Sequence, residues 1–464
     1  MNGKESRKYE QYVDCLKENP RLYLPVGGLK EHREDTAWVV STHVLAPVLA
    51  GFVLWLLKEA VKNKKERLYF LSRDGYLMYR MTQLFCEKMR LPIECRYLSC
   101  SRYAVRIPIF FLNQEEGLDY ICRDGLFVSI ERILRRAGLT KQERQKVIRQ
   151  VKLPGSSEEP ISRRELEKVR KKLYGCPYFL NTVKKHSREA MKGLAGYLRQ
   201  EGLLDEVSDA LVDSGWVGSM QKTLQEALKY LGRERELEGY YFGLYDLPDG
   251  MKRDTYHCYY FHPYGGLREK VFFNNCLFEA VFTAPHGMTL GYRREGEVYV
   301  PCYGTMGEER RQFVRQTEEW MMEYGEVLAK EMTKKRLLSL QISKERKTAR
   351  KLLYLFMTTP SGEEARIYGQ LSFSDDVLEE EGQPIAPRMT QRELRANHIL
   401  PKLCRMAALK TPTVVKSVWY EGSAVLGRKH IKRHIRQHLL WQAVRFAVKA
   451  MEQTGQKKGG EKDD

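Results

Sequence analysis

The run Arg67-Leu68-Tyr69-Phe70-Leu71-Ser72-Arg73-Asp74-Gly75-Tyr76 decides how this sequence folds. Arg67 to Leu71 has strand length and ends in a polar, glycine-bearing turn, Ser72 to Gly75. Leu77, Met81, Leu84 and Phe85 then recur at helical spacing as far as Met89. Upstream, an apolar helix from His43 to Lys62 stops at Lys62-Asn63-Lys64-Lys65. Downstream, Ile93 to Leu98 reads as a second strand and ends at Ser99-Cys100-Ser101-Arg102. Helix, strand, loop, helix and strand in this order form βαβ units. The sequence therefore predicts an α/β fold with an open, mostly parallel, Rossmann-like sheet.

Working outward, the order breaks over 105–185. Charged helical segments there (Ile130–Ala137, Lys141–Val151, Arg163–Leu173) flank a Pro154-Gly155-Ser156-Ser157 loop, as in an inserted helical subdomain. The order resumes with a helix at Arg188–Leu203, a strand at Asp209–Val212 and a loop at Asp213–Ser219. A helix at Met220–Leu231 and strands at Gly239–Tyr245 and Tyr256–Phe261 follow. Beyond these, Phe272–Phe282 is expected as a helix and Tyr292–Tyr303 as a hairpin about Glu295-Gly296. The α/β domain is thus expected over 41–104 and 186–305, behind an N-terminal arm at 1–40. A mainly helical C-terminal region over 306–452 and a disordered tail over 453–464 complete the expectation.

Composition bounds the function. The chain has 464 residues, 42% of them hydrophobic and 30% charged, which fits a folded globular protein with two or three domains. A net charge of +19 favours anionic partners: phosphorylated metabolites, nucleic acid or an anionic membrane surface. No RRM, KH, zinc-finger or basic-zipper signature accompanies that charge, so nucleic acid is not the expected partner. The ten cysteines form no CxxC pair, and Met1 to Glu5 lacks an apolar signal core, which together predict reduced thiols in a cytoplasmic protein. The most apolar run, Val44–Leu57, is about 14 residues against the ~20 a spanning helix needs, and is expected as a core helix.

Three polar clusters are expected just past strand ends, where open α/β sheets bind ligands. The first is Arg73-Asp74-Gly75: a guanidinium fork for phosphate, a carboxylate, and a glycine that opens a helix whose amides attract anions. Its plainer reading is an aspartate N-cap beside a surface arginine. The second is Asp213-Ser214-Gly215-Trp216-Val217-Gly218-Ser219-Met220-Gln221, neither a Walker A loop nor GxGxxG, whose glycines would let amides approach an anion. The third is Ser99, Ser101 and Arg102. Asp74 and Asp213 together are the expected acid/base pair or the ligands of one Mg²⁺. Arg73, Gly75, Ser99, Ser101, Arg102, Gly215, Trp216, Gly218, Ser219 and Gln221 are the expected phosphate or ligand contacts. His286, in Ala284-Pro285-His286-Gly287, is a loop histidine and a candidate acid or base. Arg123-Asp124-Gly125 repeats the tripeptide but follows a helical segment and is expected as a turn.

Near the C-terminus, His430, His434 and His438 recur every four residues among Arg428, Lys429, Lys432, Arg433 and Arg436. That stripe is expected to form a solvated basic face, with Ile431, Ile435, Leu439, Val444 and Val448 docked against the protein.

The segments Tyr69–Met78, Tyr97–Arg102, Leu211–Gln221, Glu279–Gly287 and Leu290–Tyr292 together resemble the downstream half of bacterial predicted hydrolases of the haloacid-dehalogenase superfamily, which are associated with surface-polysaccharide loci and their glycosyltransferases. The resemblance covers about residues 43–375 and adds Glu279 to the candidates. It does not extend to a phosphatase domain with a DxDxT motif: the first 40 residues hold none, and Tyr76 stands two residues beyond Asp74 where that chemistry would place a second aspartate. The strand-end acid followed by a glycine/serine loop also resembles phosphoribosyltransferases, although the second acid of that pattern falls at Ser214. The expected function is hydrolysis or group transfer on a phosphorylated sugar or nucleotide-type ligand, linked to cell-surface polysaccharide synthesis. The alternative is a non-catalytic scaffold or ligand-sensing module whose basic C-terminal helix meets a membrane or a partner. On either reading the protein is expected to be cytoplasmic or peripheral at the inner membrane face.

Overall fold

The computed structural model describes residues 3–29, 32, 34–124, 128–153, 158–373, 382–406 and 415–460. Its centre is a parallel sheet of β1 (Arg67–Leu71), β2 (Glu94–Leu98), β3 (Asp209–Trp216), β4 (Gly239–Leu244) and β5 (Tyr256–Phe261). The order is β2-β1-β3-β4-β5, with Leu71 opposite Leu98 and Phe70 opposite Val212. Every β1 residue is buried, as expected of a parallel strand covered on both faces.

Alternation along the strands assigns the two faces. Leu68, Phe70, Ala210 and Val212 join the apolar helix, the Gly75–Met89 helix and parts of the Glu308–Lys330 and Ile342–Leu353 helices in one core. Tyr69, Leu71 and Leu211 point the other way, onto Leu194 and Leu198 of the Pro177–Gln200 helix and Leu224 and Leu228 of the Ser219–Tyr230 helix. The insertion between β2 and β3 is helical and has its own core, including Phe110, Ile133, Leu134, Val147, Leu173 and Phe179. Its Pro154–Ser157 loop lies outside the described residues, as does Gly125 of the expected turn. The hairpin β6 (Thr289–Glu295) and β7 (Val298–Tyr303) forms as expected and packs on the Pro177–Gln200 helix, with Tyr292 stacked on Tyr197 at 4.4 Å.

Several expectations are corrected. Within the expected N-terminal arm, Gly3–Lys17 is a helix rather than turns; its Tyr12 and Leu16 are buried, and Tyr12 donates a 2.5 Å hydrogen bond to Glu364. The strand-like Trp38-Val39-Val40 is helical, because Asp35 caps it through the amides of Ala37 and Trp38. The turn continues without a break into the apolar helix, so the helical run Thr36–Lys62 is longer than expected. By length and composition it could cross a membrane, but its most apolar stretch is wholly buried within the fold. Phe272–Phe282 is two short helices, Leu267–Phe272 and Asn275–Val281, with Asn274 capping the second. The C-terminal helix spans Ile431–Gly460 and so continues into the expected tail.

Candidate functional site

β1 and β3 are neighbours that leave the sheet in opposite directions. The helix after β1 packs on the face of Leu68 and Phe70, and the helix after β3 packs on the face of Tyr69 and Leu71. Between them the strand order reverses, and the crevice beyond the carboxyl ends of these strands is where such sheets bind ligands. Asp74 stands at the end of β1, and Asp213 and Ser214 stand near the end of β3.

Asp74 does not act as a cap: it occupies the N-cap position of the Gly75–Met89 helix but makes no capping hydrogen bond. Its carboxylate instead accepts a 2.5 Å bond from the Ser214 hydroxyl across the crevice. The expected loop at Asp213–Ser219 is corrected here. Asp213 to Trp216 continue β3, paired with β4 through Asp213 opposite Tyr241 and Gly215 opposite Gly243. Gly215 makes this extension possible, because it has φ +107° and a β-carbon would fall 2.6 Å from the Gly243 carbonyl oxygen. Gly218, at φ +64°, turns the chain into the next helix, with the Tyr256 ring 2.5 Å from where a β-carbon would lie. Ser219 is the first residue of that helix, so it and its backbone amide face the crevice end of the fold.

The acids form one electrostatic unit. Burial, then the charge of Asp74, pushes Asp213 up to about 7, against amide hydrogen bonds and Arg102. Burial and Asp74 also push Glu279 upward, while Arg102 and a hydrogen bond from Trp216 oppose the rise. The Trp216 indole N–H reaches Glu279 at 2.5 Å. Trp216 itself is buried among Phe261, Phe273 and Phe278, so it positions Glu279 rather than offering its face to a ligand. Arg102, the first residue of the Arg102–Ile109 helix, is the cation that these carboxyl groups share.

Arg73 serves a different part of the crevice. Its charge acts on His286 and on Arg310, a residue that sequence reasoning did not single out. Burial and Arg73 together push Arg310 down to about 10. One Arg310 nitrogen donates to the Ala280 carbonyl, next to Glu279, and its other terminal nitrogen is buried without a hydrogen-bond partner. Nothing in Glu308-Glu309-Arg310-Arg311 separates Arg310 from its charged neighbours, so only the packing reveals it.

Other expected contacts are occupied within the fold. Ser99 shares a 2.6 Å bond with the Tyr303 hydroxyl. Ser101 accepts from the Ala104 amide and donates to the Thr289 carbonyl. Gln221 is fully buried: it donates to the Leu237 carbonyl and accepts from Tyr241. His286 has neither nitrogen to spare. Nδ1 donates to the Gly287 carbonyl and Nε2 accepts from Tyr97, each at 2.8 Å, and burial pushes the imidazole downward in pKa. A neutral, doubly bonded ring suits positioning better than proton transfer. Gly75 packs its backbone against Phe70, where a β-carbon would lie 3.2 Å from the Phe70 carbonyl carbon.

Asp74 and Asp213 are hard oxygen donors of the type Mg²⁺ takes. Among the described residues, however, no three His, Cys, Asp or Glu side chains are placed to hold a metal ion. Two carboxylates suit Mg²⁺ only together with a ligand's phosphate oxygens and water, so Asp74 and Asp213 would supply part of its coordination. In comparisons with known proteins, no family model and no curated protein matches the chain.

Proposed function

We propose that the β1/β3 crevice binds a phosphorylated sugar or nucleotide-type ligand and catalyses hydrolysis or group transfer at its phosphate ester or anomeric carbon. The observation that carries this reading is the pairing of two raised carboxyl groups, Asp213 and Glu279, with cationic groups at a topological switch point. Arg73 and Arg310 supply the charge for a phosphate, and the buried, unpartnered nitrogen of Arg310 is a donor that such an anion would satisfy. Asp213, which keeps its proton up to about pH 7, gives it to the leaving oxygen as that oxygen's bond to phosphorus or the anomeric carbon breaks. Water or an acceptor hydroxyl forms the new bond and loses its proton to solvent. Asp74, held by Ser214, supplies the negative charge that keeps the acid protonated and steadies positive charge developing at carbon. The resemblance to polysaccharide-associated hydrolases supports a role in cell-surface polysaccharide synthesis, with glycosyltransferases as partners.

The test is turnover of a panel of sugar phosphates, sugar nucleotides and phosphoribosyl pyrophosphate, with products identified by phosphorus NMR. Asp213→Asn is expected to lower turnover by about 10²–10⁴-fold while ligand still binds. Turnover equal to wild type in Asp213→Asn would remove the acid from the mechanism.

A further inference from the structure

The C-terminal helix is docked by one face, which carries Ile431, Ile435 and Leu439 as its sequence suggests and two of its histidines as well. His434 is 1% exposed, bonded to His398 at 2.8 Å and to Gln391 at 3.1 Å, and His438 bonds Glu421 at 2.7 Å. Phe446 stacks on Tyr245 with ring centroids 5.5 Å apart, and Lys449 pairs with Asp246 at 2.8 Å. His434 and His438 therefore turn inward, while His430 stays exposed. Helical spacing sends Leu440, Val444, Val448 and Met451 to the other side, where they are 45%, 40%, 49% and 70% exposed. Val444 and Val448 are thus not docked as the sequence led us to expect.

An aligned, exposed apolar stripe marks an interaction surface. Its surroundings narrow the partner. Lys432, Arg433, Arg436 and Arg445 are exposed on the same helix, and no Asp or Glu occurs from Arg428 to Met451. A second copy of this chain, carrying +19, would bring the same basic helix against it and be repelled. An apolar stripe edged by cations with no acids matches an interface of acyl chains beneath anionic headgroups.

We propose that this face of the Ile431–Gly460 helix lies on an anionic lipid surface, with Leu440, Val444, Val448 and Met451 entering the acyl boundary and the four basic residues meeting lipid phosphates. The proposal is independent of the chemistry in the crevice. It has one geometric consequence for it: Tyr245, which stacks on Phe446, also bonds through its amide to the Trp216 carbonyl at 2.7 Å, so the docked helix holds the crevice close to the lipid.

The experiment is co-sedimentation of the full chain with vesicles of phosphatidylcholine alone and of phosphatidylcholine mixed with phosphatidylglycerol. Wild type is expected to sediment with the mixed vesicles only. V444E/V448E, at exposed positions, is expected to melt as wild type does and to bind at least about tenfold more weakly. R433E/R436E is expected to lose the preference for phosphatidylglycerol, which separates the charge contribution from the apolar one. The proposal is overturned if wild type ignores the mixed vesicles or if V444E/V448E binds them equally well. It is also overturned if light scattering shows a dimer that V444E/V448E dissolves while vesicles remain unbound.

Discussion

Asp213 is a strand residue carrying a carboxyl group that burial and Asp74 hold protonated near neutrality, and that state has a cost that can be measured. The unfolded chain releases this proton near pH 4, whereas the folded chain holds it to about 7. The folded state therefore binds the extra proton between these values, and the contribution of Asp213 to stability declines as pH rises from about 4 to about 7. Asp213→Asn has no proton to lose. Its stability relative to wild type is expected to grow over that interval, reaching a few kcal/mol by about pH 8, in denaturant titrations at both ends. A difference independent of pH would mean that Asp213 ionises normally. Trp216→Phe keeps the aromatic packing and removes the hydrogen bond that holds Glu279 down. The alkaline limb of the pH–rate profile should then move upward if Glu279 contributes to it, with binding little changed. Gly215→Ala meets both a positive φ and the Gly243 carbonyl, and is expected to cost about 1–3 kcal/mol in equilibrium unfolding.

At the scale of elements, β3 carries the site because it is longer than its apolar run. Asp213-Ser214-Gly215 reads locally as a turn, and only pairing with β4 makes it strand, which no pattern within the segment announces. The start of the same strand is anchored by Asp209, whose buried carboxylate receives two bonds from Arg233 at 2.7 and 2.9 Å. Arg235 adds a third at 3.0 Å. Arg233→Met leaves a buried carboxylate only partly satisfied and is expected to destabilise by about 3 kcal/mol, read from chemical denaturation. The strands β1, β4 and β5 and the β6–β7 hairpin were legible because burial and alternation write themselves into short apolar runs. The N-terminal helix was not. Its buried side is a few residues, such as Tyr12 and Leu16, among many charges, and those find their partners hundreds of positions away. The C-terminal helix was legible as a helix docked through Ile431, Ile435 and Leu439, but its buried histidines were not, because imidazoles pass for a polar face until His398, Gln391 and Glu421 are brought against them.

At the scale of the molecule, Asp74, Asp213 and Arg102 could be named from strand ends, since one rule of sheet topology brings those ends together, whereas Glu279 sits on the Asn275–Val281 helix and entered only through the family resemblance. Arg310 could not, because it arrives from a helix beyond the domain whose strands build the crevice. Global stability should carry a second pH signature of opposite sign. Burial and the neighbouring His398, His430, Arg395 and Arg433 hold His434 down to about 4, so the unfolded chain takes up a proton there first. Stability from this group is full above about pH 6.5 and falls as pH drops toward about 4. Thermal melts of His434→Gln should lack part of that acid-side decline. An unchanged decline would mean that other groups cause it.

On the proposed function, the β1/β3 crevice is an anion site served by Arg73 and Arg310. This is tested most directly by thermal denaturation of the full chain against the phosphate-ester panel, with wild type and Arg310→Ala side by side. A ligand at ~100 times its Kd should stabilise wild type by about 2.7 kcal/mol. At least one phosphorylated sugar or nucleotide is expected to do so, and Arg310→Ala, though folded, is expected to lose the shift. An equal shift in both proteins, or none across the panel in wild type, would contradict the proposed function.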